Sequence, residues 1–425
     1  MKQAFLIAAP TSGSGKTTIA RGLMALLTEK GYRVQPFKCG PDYIDTKFHE
    51  AVCHRPSINL DTFMATPEHV RELFAHYGQD ADVCIVEGMM GLFDGYDRDK
   101  GSSAEIARVL DIPVVLVVDA KSAAYSMAPL LYGFTHFTTQ GAKVNIAGVI
   151  FNKVGSERHY KMLQEVCSDV GIECLGYLPK SADLEQGSRY LGLDFSLTPT
   201  PSPRGEGSSY FSAIADNILD KLSSLFTPLT PREAGKAGGE ASIGGHALIA
   251  RNSEAFSFLY QETLDGFKEV RFFDPETDVP CFDNIDLLYL PGGYPEKHLD
   301  ALVKNEACRK AIKEYAERGG RIHAECGGMM YLCEKIVTDD GDYEMCGVLP
   351  YSITARQADR KLSLGYRRFD LDGKEYRGHE FHYTQFLGEK PQSVTQVYNA
   401  KGEPVDTPVF KYKNVLASYT HLYLI

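Results

Sequence analysis

The sequence predicts an α/β protein with two domains, each built around a mainly parallel sheet. Short, almost continuously apolar stretches, such as residues 5–9 and 114–118, alternate with helical stretches, which is typical of parallel strands buried on both faces. A segment rich in proline and glycine interrupts this alternation near the middle of the chain, and a second series of strands begins at His246. The length of 425 residues suits two domains.

The composition argues against several classes of function. The chain has 56 acidic and 45 basic residues, a formal net charge of -11, and no dense run of Lys or Arg, so we expect no nucleic-acid partner. Its ten cysteines form no Cys-x-x-Cys pairs, so we expect a reduced, cytoplasmic protein without a disulfide framework. No apolar stretch approaches the roughly 18 residues of a membrane span, so we expect no membrane association.

The domain boundaries follow from the interruption. We predict a first domain at residues 1–197, a linker at 198–244 that carries a short helix at 210–226, and a second domain at 245–425. The flanks of the helix are rich in Pro, Gly and Ala and cannot build a core. No chemistry is expected from the linker.

A phosphate-binding loop follows the first strand. Residues 11–18 read Thr-Ser-Gly-Ser-Gly-Lys-Thr-Thr and lead into a helix that ends near Glu29. Lys16 would place a positive charge on the phosphates, and the Thr17 hydroxyl would reach Mg²⁺. The strict pattern has glycine where this chain has Pro10, and a simple Gly/Ser turn is the alternative. The predicted ATP-binding residues of the loop are Ser12, Gly13, Ser14, Gly15, Lys16, Thr17 and Thr18.

Carboxylates follow the next two strands. The second strand, at 34–38, leads into a loop with Asp42 and Asp45, which would hold a metal ion or orient a substrate; turn formation around Gly-Pro is the alternative. The strand at 82–88 carries Glu87, our best acidic ligand for a metal ion. The glycine-rich loop at 89–95 then faces substrate or is a plain surface loop.

The first domain ends with three more apolar strands, at 114–119, 146–153 and 174–179. Asn152 stands at the end of the middle one. From there it would read the adenine edge of a nucleotide, or it caps a turn, as Asn often does.

The second domain opens with strands at 246–250 and 270–273 and a predicted helix at 255–264. A further strand, 286–290, runs into Pro291, Gly292 and Gly293. A Gly-Gly turn at this position can present backbone N–H groups to an oxyanion, although a simple tight turn has the same sequence pattern.

Cys326 lies where a short strand turns sharply into a helix, which is the position of a nucleophile. The helix N-terminus favours thiolate, so we expect a lowered thiol pKa. A buried, unreactive cysteine is the alternative. His421 follows a strand near the end of the sequence, and a cysteine with a distant histidine provides the parts of a thiol acyl-transfer site.

Together, these motifs resemble the cobyrinic acid amidating enzymes, which carry a class I glutamine amidotransferase domain, and the resemblance covers nearly the whole chain except the linker. The stretches that carry it are Lys-Cys-Gly-Pro-Asp-Tyr-Ile-Asp at 38–45, Glu-Gly-Met-Met-Gly-Leu-Phe-Asp-Gly at 87–95, Leu-Pro-Gly-Gly-Tyr-Pro-Glu at 290–296, Glu-Cys-Gly-Gly at 325–328, Leu-Gly-Tyr-Arg at 364–367, Gly-His-Glu-Phe-His-Tyr at 378–383 and Ser-Tyr-Thr-His at 418–421.

The resemblance implies a flavodoxin-like second domain in which Cys326 attacks glutamine, Gly292 and Gly293 stabilise the oxyanion, and His421 acts as acid and base. The ammonia would pass to the first domain, a P-loop NTPase-type parallel sheet with helices on both faces.

In the first domain, the resemblance implies that ATP and Mg²⁺ activate the a and c carboxylates of a corrin, cobyrinic acid, for amidation in cobalamin biosynthesis. We also expect a homodimer. The implied metal ligands are Thr17, Glu87 and Asp45, and the implied substrate residues are Asp42, Tyr43 and Asp94.

One departure concerns the acid that supports the histidine. Many glutaminase domains of this class have Glu two positions after the catalytic His, and here that residue is Tyr423, so a Cys–His pair is expected. We expect Glu325 to point away from the site because it precedes the nucleophile on a strand. We expect His379, Glu380 and His382 to form a hydrogen-bonded strand and not a metal site.

Other functions share parts of this sequence pattern. A nucleotide switch or partitioning ATPase shares the first-domain fold, but such proteins usually have a second Lys early in the phosphate loop, which residues 11–14 lack. Within the enzyme class, the alternatives are a cobyric acid synthase and an enzyme that amidates a nickel or metal-free sirohydrochlorin, since pocket shape selects the acceptor.

Overall fold

The computed structural model describes residues 3–139, 142–180, 206–225, 244–388 and 391–423. The chain divides into two compact units, Met1–Gly238 and Gly239–Ile425. In the described ranges, no helix combines the length and the apolar character needed to cross a membrane. The expected residues 198–205 and 226–243 of the linker lie outside the described residues.

The first unit contains a seven-stranded, fully parallel sheet with the strand order β3-β2-β4-β1-β5-β8-β9. Strands β6 and β7 form a separate small hairpin. The strands are β1 (Gln3–Ala8), β2 (Val34–Cys39), β3 (Ile58–Leu60), β4 (Val83–Glu87), β5 (Val114–Asp119), β6 (Thr138–Thr139), β7 (Ala142–Lys143), β8 (Ile146–Val154) and β9 (Cys174–Pro179). The helices are α1 (Lys16–Glu29), α2 (Asp45–Cys53), α3 (Pro67–Gly78), α4 (Ser103–Leu110), α5 (Met127–His136), α6 (Glu157–Val170) and α7 (Glu206–Leu225).

Helix α7 packs into the core of the first unit. Its residues Phe211, Ile214 and Ile218 are buried together with side chains of α1 and the central strands. The contact with α1 is close, because a Cβ atom added to Gly22 would lie 2.3 Å from the Phe211 ring. The helix that we predicted within the linker therefore covers one face of the first sheet, although the boundaries at 197 and 244 stay predictions.

The second unit contains a six-stranded sheet with the order β11-β10-β12-β13-β23-β22, in which only β22 is antiparallel to its neighbour. Two further sheets, β15-β14-β16-β19 and β21-β20-β17-β18-β24, were not predicted from the sequence. The strands are β10 (His246–Ala250), β11 (Glu269–Phe273), β12 (Leu287–Leu290), β13 (Ile322–Glu325), β14 (Lys335–Val337), β15 (Asp342–Glu344), β16 (Ser352–Thr354), β17 (Ser363–Leu371), β18 (Lys374–His382), β19 (Gln385–Leu387), β20 (Val397–Asn399), β21 (Pro404–Val405), β22 (Val409–Tyr412), β23 (Val415–Ser418) and β24 (His421–Leu422). The helices are α8 (Gln261–Asp265), α9 (Leu299–Lys304), α10 (Glu306–Glu317) and α11 (Gly327–Leu332).

The predicted helix at 255–264 is wrong over most of its length, since α8 covers only Gln261–Asp265. The preceding segment is held by other hydrogen bonds. The Asn252 side-chain oxygen accepts from the backbone N–H groups of Glu254 and Phe256. The N–H of Phe258 donates to the Gly292 carbonyl, 3.0 Å away. These contacts use the backbone groups that a helix would need.

Candidate active sites

The phosphate loop lies between β1 and α1 and has the strained geometry that requires glycine. Gly13 and Gly15 have φ values of 80° and 90°, in the left-handed region. A Cβ atom on Gly15 would lie 2.0 Å from the Asn152 side-chain nitrogen. That nitrogen donates to the Ser14 carbonyl at 3.0 Å, so Asn152 supports the loop in this structure. Its predicted contact with adenine stays a prediction.

Lys16 is the first residue of α1, and its Nζ donates to the Met90 carbonyl at 3.3 Å. Burial, together with the nearby Lys38 ammonium, lowers the pKa of Lys16. The contact connects the phosphate loop with the loop at 89–95. Both loops follow neighbouring strands, β1 and β4, at the edge where ligands of open parallel sheets bind.

The three predicted metal ligands meet at this same edge. Glu87 is fully buried, and its Oε1 accepts from the Thr17 hydroxyl at 2.6 Å. The other oxygen, Oε2, contacts His49 Nε2 at 2.7 Å. Asp45 lies across the cluster and is 4% exposed. Hydroxyl and carboxylate oxygens are the ligands that Mg²⁺ prefers, and the binding of the ion by these residues stays a prediction.

Lys38 occupies the centre of this cluster, and our sequence analysis missed it. Its Nζ lies 3.1 Å from Asp45 Oδ2 and 3.3 Å from Glu87 Oε1, and it is 3% exposed. Burial alone would raise the pKa of Glu87, but the Lys38 charge and the hydrogen bond with His49 outweigh burial and hold the Glu87 pKa well below its usual range. The feature of the sequence that could have identified Lys38 is a charged residue within β2, whose residues are all buried. Within the described residues, no group of three or more His, Cys, Asp or Glu is arranged to hold a metal ion.

The predicted substrate residues are held by local contacts. Asp42 Oδ1 accepts from the N–H groups of Ile44 and Asp45, both at 2.8 Å, so the turn-forming alternative is present for this residue. Asp94 Oδ2 accepts from the Gly91 N–H at 3.0 Å and shapes its own loop. Tyr43 is 8% exposed. Their contact with substrate stays a prediction.

A basic cavity opens at the carboxyl ends of β5, β8 and β9. Its volume is about 410 Å³, and Lys121, Lys153, His159 and Lys180 are among the residues that line it. Lys153 Nζ pairs with Asp119 at 2.8 Å. The remaining positive charge suits an anionic ligand, although the chain as a whole is acidic.

In the second unit, Cys326 forms the turn between β13 and α11. Its φ and ψ values of 45° and -109° are unusual for a residue with a side chain. Its N–H donates to the Ser418 carbonyl at 2.8 Å, which fixes the turn to β23. A Cβ atom on Gly328 would lie 2.0 Å from the Leu290 carbonyl oxygen. The glycine is therefore required for the turn to approach β12.

His421 and the Gly-Gly turn lie beside this cysteine. His421 is 1% exposed and stands on β24, opposite His379 of β18. A Cβ atom on Gly292 would lie 2.1 Å from His421 Cε1, so the ring rests directly on that glycine. A Cβ atom on Gly327 would lie 3.0 Å from the Gly293 nitrogen. The structure thus brings the predicted nucleophile, histidine and oxyanion turn together.

The expected lowering of the Cys326 pKa is wrong. Burial raises the pKa of the thiol, and the neighbouring carboxyl groups of Glu296 and Glu380 add to this effect. Burial also lowers the pKa of His421 to about 4. Helix α11 has only six residues, so its dipole does not compensate. In the resting site, both groups are therefore neutral at pH 7.

The expectation that Glu325 points away from the site is also wrong. Glu325 Oε2 lies 3.9 Å from His421 Nδ1, and Oε1 accepts from the Leu422 N–H at 2.9 Å. The Glu325 side chain reaches β24 because β13 pairs with β23, and β24 follows β23 closely along the chain. Tyr423, at the position of the usual acid, donates instead to Glu262.

Glu380 has the structural role that we expected. It accepts hydrogen bonds from Arg367 Nε at 2.5 Å and from His382 Nε2 at 2.7 Å, and the hydroxyls of Ser363 and Thr407 also donate to it. Burial would raise its pKa, but His382 and Arg367 outweigh this and lower it to about 2. The strand 378–383 is therefore hydrogen-bonded, as predicted.

Replacement of Glu380 by Gln should destabilise the second unit by about 3 kcal/mol at pH 7, because the buried Arg367 loses its counter-charge. The carboxylate stabilises the fold above its ordinary pKa of roughly 4.3, and this contribution is lost as the pH falls toward 2. Urea unfolding followed by circular dichroism should therefore show a difference between the variant and the wild type that shrinks below pH 4. Glu317→Gln, which removes an exposed pair with Lys413, should change the midpoint little. An equal effect of the two variants would contradict the prediction.

Replacement of Gly292 by Ala should reduce glutamine hydrolysis by more than about 100-fold, since the added methyl group overlaps the His421 ring. The measurement is glutamate release from glutamine. Gly133→Ala is the control, because its methyl group has no neighbour within 4 Å. Normal hydrolysis by Gly292→Ala would show that the ring position is not required.

Two family models match the chain. Residues 5–191 match the CobQ/CobB/MinD/ParA nucleotide binding domain, and residues 253–425 match the CobB/CobQ-like glutamine amidotransferase domain. Each matched region corresponds to one of the two units described above.

Several curated proteins resemble the chain over almost its full length. The cobyrinate a,c-diamide synthase of Caldanaerobacter subterraneus subsp. tengcongensis is 38% identical over 439 residues, which cover 100% of this chain and 96% of the relative. The hydrogenobyrinate a,c-diamide synthase of Rhizobium meliloti is 37% identical over 433 residues, 98% of each chain. The cobyrinate a,c-diamide synthase of Priestia megaterium is 36% identical and covers 98% of this chain and 93% of the relative. The chain therefore belongs to the family of the cobyrinate and hydrogenobyrinate a,c-diamide synthases, ATP-dependent ligases that take nitrogen from glutamine.

Proposed function

We propose that this protein amidates the a and c side-chain carboxylates of cobyrinic acid, with glutamine as nitrogen donor and ATP as activator. The observation that carries the proposal is the pairing of two sites in one chain. Cys326, His421 and the Gly292–Gly293 turn meet in the second unit, and the phosphate loop meets Glu87 and Asp45 in the first. Such a chain couples ammonia release to carboxylate activation.

In the second unit, His421 takes the thiol proton of Cys326 as the sulfur attacks the side-chain amide of glutamine. Backbone N–H groups of the turn at Gly292 and Gly293 stabilise the oxyanion. His421 then gives its proton to the leaving nitrogen, which departs as ammonia and leaves a thioester. Water hydrolyses the thioester to glutamate and restores the thiol.

In the first unit, a carboxylate of the corrin attacks the γ-phosphorus of ATP, and ADP leaves. Ammonia then displaces phosphate from the acyl phosphate and gives the amide. Lys16 and the backbone of the phosphate loop would hold the phosphates. Activation is needed because a free carboxylate is a poor acyl donor at neutral pH. Two rounds amidate two carboxylates.

Mg²⁺ fits the cluster of Thr17, Glu87 and Asp45, whose oxygens are of the type it prefers. When bound, the ion neutralises charge on the phosphates. In this structure, the Lys38 ammonium forms an ion pair with each of the two carboxylates, Glu87 and Asp45. We propose that Asp42, Tyr43 and Asp94 contact the substrate, since their loops follow β2 and β4, the strands that carry Lys38 and Glu87.

The basic cavity at β5, β8 and β9 includes Lys153, the neighbour of Asn152 in the sequence, and its positive charge supports the binding of an anionic nucleotide. A homodimer in the cytoplasm is part of the proposal. The family relationship favours the amidation of cobyrinic acid over a nucleotide switch, because a switch does not need the cysteine, the histidine and the glycine turn of the second unit.

The test is incubation of the protein with ATP, Mg²⁺ and glutamine and a panel of tetrapyrroles. The panel contains cobyrinic acid, its cobalt-free form hydrogenobyrinic acid, the nickel and metal-free forms of sirohydrochlorin, and cobyrinic acid a,c-diamide. Mass spectrometry should find two added amides on cobyrinic or hydrogenobyrinic acid. Amidation of sirohydrochlorin or of the a,c-diamide alone would replace the proposed acceptor by one of the alternatives. ATP hydrolysis without any amide would support the switch.

A further inference from the structure

Glu325 is a buried carboxylate for which the proposed reaction has not yet given a role. It is 1% exposed and precedes Cys326 directly. Its Oε1 accepts from His323 Nε2 at 2.7 Å and from the Leu422 N–H at 2.9 Å. Its Oε2 accepts from the Tyr289 hydroxyl at 2.8 Å. Three hydrogen-bond donors therefore surround one carboxylate.

The fourth neighbour is His421, whose Nδ1 lies 3.9 Å from Glu325 Oε2. This distance is longer than a hydrogen bond, but a charge at 4 Å in a buried site acts strongly on an imidazole. We assign the other nitrogen of the ring, Nε2, to the proton transfer with the thiol. The two carboxylate oxygens thus contact both the backbone beside His421 and the side of its ring.

The need for such a group follows from the burial of His421. When the ring takes a proton, the imidazolium must be stabilised in a site without solvent. Glu325 is the largest influence that favours the charged ring and opposes burial. Glu380 favours it too, but His382 opposes it. His379 and His421 face each other on paired strands, so their charged forms repel one another.

We propose that Glu325 is the positioning residue that stabilises the protonated form of His421 during glutamine hydrolysis, in place of the acid that Tyr423 does not supply. The inference rests on the proposed roles of Cys326 and His421. Its Oε1 fixes the backbone of β24, and its Oε2 provides the negative charge. The residue does not touch glutamine and acts only through the ring.

The competing explanation is that Glu325 is merely a structural anchor between β13 and β24. The two explanations differ in what the charge does. An anchor needs only acceptor oxygens, and an amide at the same position supplies one. The stabilisation of an imidazolium needs the negative charge itself. Variants that keep the carboxylate but remove its hydrogen-bond donors should therefore separate the two roles.

The test uses Glu325→Gln in the full chain, with Tyr289→Phe and His323→Leu as matched controls. The controls each remove one donor to Glu325 and keep its charge. Glutamine hydrolysis is measured as kcat and KM between pH 5 and 9. The reactivity of Cys326 is measured as the rate of alkylation by iodoacetamide over the same range, with the modified peptide identified by mass. Circular dichroism and urea unfolding report whether the second unit is folded.

We expect Glu325→Gln to lower kcat for glutamine hydrolysis by about 100-fold with little change in KM, as for loss of general acid–base support. Alkylation of Cys326 should slow about tenfold at pH 7, because attack by the sulfur requires transfer of its proton to His421, and the imidazolium then lacks the charge that stabilises it. The two controls should remain within about threefold of the wild type.

The inference is overturned if Glu325→Gln hydrolyses glutamine within threefold of the wild type. It is also overturned if the controls lose as much activity as Glu325→Gln, since that result identifies an anchor. A different outcome would reject the proposed function instead. If Cys326→Ala still hydrolyses glutamine, the nucleophile itself is wrongly assigned.

Discussion

Replacement of Cys326 by alanine is expected to abolish glutamine-dependent amidation and to leave amidation with free ammonia intact. The alanine variant removes the sulfur that forms the thioester, so glutamine hydrolysis should fall by at least about 1,000-fold. Ammonia added at high concentration replaces the product of the second unit, and the acyl phosphate forms in the first unit. The measurement is product amide by mass spectrometry with glutamine or ammonium chloride as the only nitrogen source.

Cys281→Ala is the matched control for this experiment, because Cys281 is an exposed free cysteine of the same unit. It should behave as the wild type with both nitrogen sources. Loss of both activities by a folded Cys326→Ala protein would contradict the two-site scheme, since it would mean that the cysteine serves the synthetase reaction as well.

Replacement of Lys16 by alanine is expected to stop amidation from either nitrogen source. The lysine provides a positive charge beside the phosphate loop, and its loss should reduce ATP-dependent product by about 1,000-fold. Glutamine hydrolysis measured as glutamate release should persist, because Cys326 and His421 belong to the other unit. We therefore expect the Lys16→Ala variant to release glutamate without forming product amide.

Lys30→Ala is the control for Lys16→Ala. It removes a charge just after the same helix, where Lys30 forms a surface pair with Asp216 at 2.7 Å. We expect no more than a twofold change in product. If Lys16→Ala still amidates the substrate with ammonia, the phosphate loop does not bind the activating nucleotide in the proposed manner.

Much of the fold was predictable because the periodicity of parallel strands is strong. Six strands of the first unit, β1, β2, β4, β5, β8 and β9, and the turn after β1 follow from continuous apolar runs and from glycines that must adopt positive φ. The short strands β3, β6 and β7 were not predicted. The failure at 255–264 has a local cause. Asn252 and Gly292 bind the backbone of this segment, and a helical pattern of side chains does not reveal such contacts.

Some residues of the two sites could be predicted from the sequence, and others could not. Cys326 and the glycine turn stand at strand ends, where sequence patterns indicate function. Glu325 and Lys38 lie within strands, and only the neighbours in space show what they contact. The sign of the Cys326 pKa shift could not be read from the sequence, because burial outweighs the short helix that follows.

The position of helix α7 has a practical consequence for dissecting the enzyme. A fragment that ends at residue 197 would lack Phe211, Ile214 and Ile218 and would expose the apolar face that they cover. Such a face promotes aggregation during expression. A separately produced synthetase fragment has to include Glu206–Leu225, so the cutting point belongs after this helix. The stretch that resembles a mere connector by composition thus carries part of the solubility of the first half.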